Sequence, residues 1–175
     1  QRLFSTPLQP EFLTDPPPYV HWHMRALECL RAQQPEAAAA CLVQAVAARV
    51  PLQGEVDGNA CSDFRDGDDF LAPFLEVILH SRYLWVPFEH IKYLRLSPPQ
   101  HLRDLLWLPA ALEMHDGPVG EVFLPVLYSG SHSHNDDQVK LGRMTDWLDV
   151  GAGLARGVGQ RLFLSDAQEY GLLEV

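Results

Sequence analysis

Asp68-Asp69-Phe70-Leu71-Ala72-Pro73-Phe74-Leu75-Glu76-Val77-Ile78-Leu79-His80 is the stretch on which the fold class turns. Leu71, Phe74, Leu75 and Ile78 recur at steps of three and four residues, the spacing that gathers side chains on one face of a helix. Asp68 or Asp69 supplies a carboxylate for the free amides of a first helical turn. The stretch therefore predicts a helix ending near His80.

Beyond it the pattern shortens. Apolar runs at Tyr83–Phe88, Leu105–Leu112, Glu121–Tyr128, Val139–Met144, Arg161–Leu164 and Leu172–Val175 are separated by turn residues, which reads as an antiparallel sheet. Pro87, Pro109 and Pro125 lie inside such runs and imply edges, bulges or corners, hence a curved sheet. The large apolar groups Trp85, Phe88, Trp107 and Trp147 are expected in the core. Arg103, Asp104, Arg143, Asp146 and Arg161 recur near the tryptophans. They fit either a buried ion-pair network that fixes register or the lining of a recognition groove, and the structural role is the stronger reading.

Upstream, Val20, Met24, Leu27 and Leu30 take helical spacing between Tyr19 and Gln34. Pro35 opens a second helix over Glu36–Val50, where Ala38, Leu42, Ala45 and Val46 share a face. The two read as a helical hairpin similar to a degenerate tetratricopeptide repeat. Trp22, Ala26, Cys29, Ala38, Leu42 and Ala45 fit that repeat, and Arg25 departs from it. A lone repeat leaves faces unburied and needs a neighbouring domain, further repeats or a partner. The expected class is α+β: an N-terminal, tetratricopeptide-like helical hairpin, then a curved, mostly antiparallel β-sheet domain with a helix. The expected layout is an extended leader at 1–18, the hairpin at 19–50, an acidic linker at 51–67 and the α+β domain at 68–175.

Charge narrows the partners. The formal net charge is −10, and Lys92 and Lys140 are the only lysines. Phosphate backbones and anionic membrane surfaces require a basic face, so nucleic acid and lipid are disfavoured. The three cysteines, Cys29, Cys41 and Cys61, form no C-x-x-C pair, which speaks against a disulfide framework or structural zinc and fits a reducing cytoplasm.

Candidate chemistry is sparse. His132, His134 and Asp136 sit close together, but in a segment that reads as a solvated loop. His21 and His23, two apart on a helix, point in different directions. Asp57-Gly58-Asn59 and Asp66-Gly67-Asp68-Asp69 miss the ligand order of a calcium loop and are accounted for as turns and a helix cap. Gly151-Ala152-Gly153 reads as the tip of a hairpin rather than a dinucleotide loop. No cofactor and no metal is expected. A small metal-dependent hydrolase on an α+β sheet stands as the alternative to an interaction protein.

The C-terminal strings resemble the ImpE/SciE family. They are Leu75-Glu76-Val77 with Trp85-Val86-Pro87-Phe88; Leu102-Arg103-Asp104-Leu105 with Trp107; and Gly120-Glu121-Val122 with Pro125 and Tyr128. Leu141-Gly142-Arg143 with Thr145-Asp146-Trp147, Gly157-Val158-Gly159-Gln160-Arg161 and Leu172-Leu173-Glu174-Val175 complete the set. Each alone is unspecific, but seven strings in order over about residues 68 to 175 make the resemblance strong. It implies a non-catalytic accessory factor of a bacterial type VI secretion system, acting in the cytoplasm on the contractile sheath. It further implies association with the small sheath subunit TssB and a link to the sheath-recycling ATPase ClpV. Family members carry more helical sequence ahead of the hairpin, so the chain is expected to be a fragment. The expected contact for an amphipathic sheath helix is the apolar face of Val20, Met24 and Leu27. Asp63, Asp66 and Asp68, in the acidic stretch from Glu55 to Asp69, would draw in its basic side.

Overall fold

Phe74–Leu79 is a strand, and the helix expected over residues 68–80 is absent. The computed structural model describes residues 10–166 and 168–174, so the first nine residues of the expected leader lie outside the described residues. Pro73 explains the change. Its ring removes an amide from any helix interior and drives Ala72 out of the helical region, so the periodicity cannot run through. Downstream of it Val77 and Ile78 are β-branched, and the first four residues of the strand are buried on both faces. Asp68 does act as a local cap, accepting from Phe70 N at 2.9 Å, but the cap closes a turn that ends at Pro73.

The α+β expectation gives way to a mostly β fold, built on a six-stranded mixed sheet. Its strands are β1 (Glu11–Phe12), β5 (Phe74–Leu79), β6 (Arg82–Pro87), β7 (Ile91–Leu96), β8 (Trp107–Met114) and β9 (Val119–Pro125). They lie in the order β1-β6-β5-β9-β8-β7, with β1 parallel to β6 and the other pairs antiparallel. Along β8, Leu108, Ala110, Leu112 and Met114 point inward. The same alternation turns Trp107 outward, where 45% of it is exposed, so its expected core position is corrected.

Three smaller sheets complete the strands. A hairpin of β2 (Gln53–Val56) and β3 (Asn59–Ser62) turns at Asp57 and Gly58, both at positive φ, as a tight two-residue hairpin requires. A ribbon of β10 (Thr145–Gly151) and β11 (Leu154–Gly159) turns at Ala152-Gly153. β4 (Arg65–Asp66), β12 (Leu162–Ser165) and β13 (Gln168–Gly171) form the third. The strand expected at Val139–Met144 is instead the short helix Asp137–Lys140, capped by Asp136. The last strand closes before Leu172, with Val175 outside the described residues.

Two longer helices, α1 (Val20–Arg31) and α2 (Pro35–Ala47), lie against the sheet. Tyr19, Leu27, Ala38 and Leu42 share one buried cluster with Phe70, Phe74 and Trp85, and Phe74 stacks on Trp85 with ring centroids 4.6 Å apart. Their apolar faces therefore close on the β-core, which removes the basis for reading them as a tetratricopeptide unit. Among the described residues no helix is long and apolar enough to cross a membrane.

Candidate docking groove

The groove begins with the two faces of α2. Ala38, Cys41, Leu42 and Ala45 are buried, which leaves Val43 and Val46 on the far side, 63% and 67% exposed. Branched side chains so placed leave apolar surface facing water. Together with the Ala72-Pro73 turn and Leu154 of the β10–β11 ribbon they border an open groove of about 820 Å³. Its rim carries Arg49, Asp63, Arg65 and Asp69. Asp63 and Arg65 also edge an adjoining depression with Asp166 and Glu169, so the apolar groove runs out onto an acidic shelf. Ser62 donates to Asp166 from its hydroxyl and its amide, which holds that carboxylate below its usual pKa.

His23 forms part of the lining. Its ring is buried, edge-on to Phe74 at 5.1 Å, and its Nδ1 has no hydrogen-bond partner among the described residues. Burial, aided by the positive charge of Arg49, pushes its pKa down to about 4, while a hydrogen bond to the Phe70 backbone opposes the shift. The ring is neutral at pH 7.

The fold also holds a buried ion network. Arg161 is 1% exposed and bridges Asp66 and Glu76, two carboxylates from separate elements. Its Nε donates to the Pro125 carbonyl at 3.2 Å, and its guanidinium sits 4.9 Å from the centroid of the Tyr128 ring. Tyr128 donates to Asp66 at 2.7 Å, Tyr83 donates to Glu76, and Trp85 Nε1 donates to the Tyr83 hydroxyl at 2.6 Å. Asp68 accepts from Gly157 N at 3.0 Å and lies 3.8 Å from Arg156, and Asp69 accepts from Ala155 N at 2.8 Å. Residues 66–69 thereby stitch the ribbon to the main sheet. Burial raises the pKa of Asp66, against the pull of Arg161, and pushes Asp68 up to about 7, against Arg156. Gly157 is required here because a Cβ would lie 2.4 Å from the Tyr128 ring.

The residues expected to meet a partner are thus dispersed. Val20 and Leu27 are buried against the sheet cluster, and Met24 is half-buried. Asp66 and Asp68 are fully buried in the network, whereas Asp63 is exposed on the groove rim, 2.9 Å from Arg49. Of the five charges near the tryptophans, Arg161 is the buried one that joins the network, and its partners are Asp66 and Glu76. Asp104 is buried against His101 and Arg103, and Asp146 pairs with His134. Trp147 is 38% exposed, which corrects its expected core position, with one edge over Gly67. His132 faces Ser133 Oγ at 2.9 Å. Among the described residues no group of three or more histidine, cysteine or acidic side chains is placed to hold a metal ion. Val46, expected on one face with Ala38, Leu42 and Ala45, is instead exposed on the opposite side, and sequence reasoning missed Val43 and His23 as groove residues. The signal for Val43 was present, since it falls outside the face that the other apolar residues of the helix already account for.

Fold and groove define a mostly β protein with a flanking helix pair that borders an open apolar groove. The ImpE protein family model matches residues 58–175, and the chain belongs to the ImpE family. It is 36% identical, over all 175 residues, to the type VI secretion system accessory component TagJ of Pseudomonas aeruginosa, and it spans 61% of that relative's length. In fold it is similar to the crystal structure of VPA1032 from Vibrio parahaemolyticus, with a TM-score of 0.83 at 22% identity. That match covers 93% of this chain and 60% of that one.

Proposed function

We propose that the chain is a non-catalytic accessory module of a bacterial type VI secretion system, working in the cytoplasm. Its groove docks an amphipathic segment of the sheath subunit TssB and so connects the sheath to ClpV-dependent recycling. The kinship with TagJ supports the system. The observation that supports the site is the pair of exposed valines, Val43 and Val46, bordering a groove that opens onto an acidic shelf. An amphipathic helix with one apolar and one basic side matches both features. Met24, half-buried on α1, belongs to the helix that supports this wall.

Calorimetry with the intact chain and synthetic TssB helices tests the reading. Binding in the micromolar range is expected, weakening as salt rises because the acidic shelf is exposed. A double substitution of Val43→Asp and Val46→Asp should weaken it at least about tenfold, since both sites lie at the contact and neither is buried. Absence of heat with every TssB helix overturns the assignment.

A further inference from the structure

A second cleft lies on another part of the molecule, between the β2–β3 hairpin and the outer strand β7. It encloses about 520 Å³. Two features of its walls are unusual. Among the described residues β7 is the last strand of the large sheet and pairs with β8 alone, and β2 pairs with β3 alone. Furthermore, the residues lining the cleft are consecutive: Gln53 through Val56 on one wall, and Ile91 through Leu94 on the other. Successive side chains of a strand point to opposite faces. The β7 run carries a bulge between Ile91 and Tyr93, and no residue of β8 lines the space, so the cleft lies on the unpaired side of β7 with every residue of β2 along its other wall. Both walls thus offer the backbone N–H and C=O groups that a further strand would pair with.

We propose that this cleft binds an extended peptide segment of a partner protein, added as a strand between β2 and β7. The aromatic side of the cleft specifies its sequence. Phe64, Phe88 and Phe163 pack together with ring centroids 5.2–5.8 Å apart, and all three line the space along with Tyr170. A strand entering here sets every second side chain against these rings, so the ligand alternates apolar with polar residues. Lys92 on one lip and Glu55 and Asp57 on the other leave the cleft without a single sign of charge, which fits a neutral, alternating segment. A second copy of this chain is the poorer occupant. Its own outer strand is already tied to a sheet along one side, and the cleft offers pairing on both sides at once. The inference is independent of the groove beside α2.

Hydrogen exchange of the intact chain tests it. The probes are end-blocked heptapeptides that alternate threonine with valine or with phenylalanine, together with twins N-methylated at alternate backbone nitrogens. Saturating peptide should slow exchange at backbone amides in both β2 and β7 by about tenfold or more, and the methylated twins should not. Equal protection by the twins would show mere apolar capture and overturn the proposal. So would protection of neither strand by any of these peptides. Protection that appears without peptide as protein concentration rises, with a matching dimer in sedimentation, would assign the cleft to a second copy instead.

Discussion

His23 sits among Tyr19, Phe74 and the Arg49 charge, and its pKa of about 4 has a consequence for stability. In the unfolded chain an imidazole takes up a proton near pH 6.5, while the folded ring resists until about pH 4. The unfolded state therefore binds more protons across this window, and the native state loses stability as pH falls through it. The full difference is about 3 kcal/mol. Asp68 acts in the opposite sense. Its raised pKa gives a contribution that is complete below the ordinary carboxylate range and is lost as pH rises through about 7. The two partly mask one another in the parent protein. Urea denaturation of His23→Phe beside the parent at each pH separates them, because Asp68 is common to both. The variant should gain on the parent by about 3 kcal/mol between pH 7 and pH 4. A constant difference across that range would mean that the ring is solvated.

At the scale of elements, β6 and β8 show how far sequence carries and where it stops. Tyr83–Phe88 and Leu105–Leu112 were legible as strands because apolar residues crowd into short runs between turn residues. What the runs did not reveal is which face each tryptophan takes. Trp85 lies opposite Glu76 in the β5–β6 ladder and is wholly buried beneath the helix pair. Trp107 opens β8, one residue out of phase with the inward Leu108. Truncation should separate them. Trp85→Ala is expected to cost about 3–5 kcal/mol, and Trp107→Ala less than about 1 kcal/mol. Thermal unfolding of both variants checks this, and equal losses would place Trp107 in the core after all. The misread stretch at 68–80 has a similar cause. A turn capped by Asp68 followed by a doubly buried strand mimics helical spacing, and only Pro73 betrays the break. The groove was less legible still, because its walls come from segments far apart in the chain: α2, residues 63–73 and the ribbon tip.

For the molecule as a whole the decisive contact is Arg161 with Asp66 and Glu76. Two buried acids on one guanidinium leave no slack, since removal of the cation strands both in a medium that cannot solvate them. Arg161→Met should cost about 3–5 kcal/mol, with losses that shrink at low pH as Asp66, its pKa already raised by burial, takes up a proton. The triple variant with Asp66→Asn and Glu76→Gln should recover a good part of that loss. Chemical denaturation of the single and triple variants is the test, and no recovery would assign Arg161 a packing role alone. Arg161 lies 95 residues beyond Asp66 in the chain. A ribosome adds residues at about 5–20 per second, so Asp66 is joined to the chain roughly 5–20 s before its counterion. By the end of that interval the nascent chain has both acids and the strands of its large sheet but not the cation that closes the network. Synthesis of the segment that carries Arg161 is therefore the step that closes the buried network, and a chain halted before it holds Asp66 and Glu76 without their counterion.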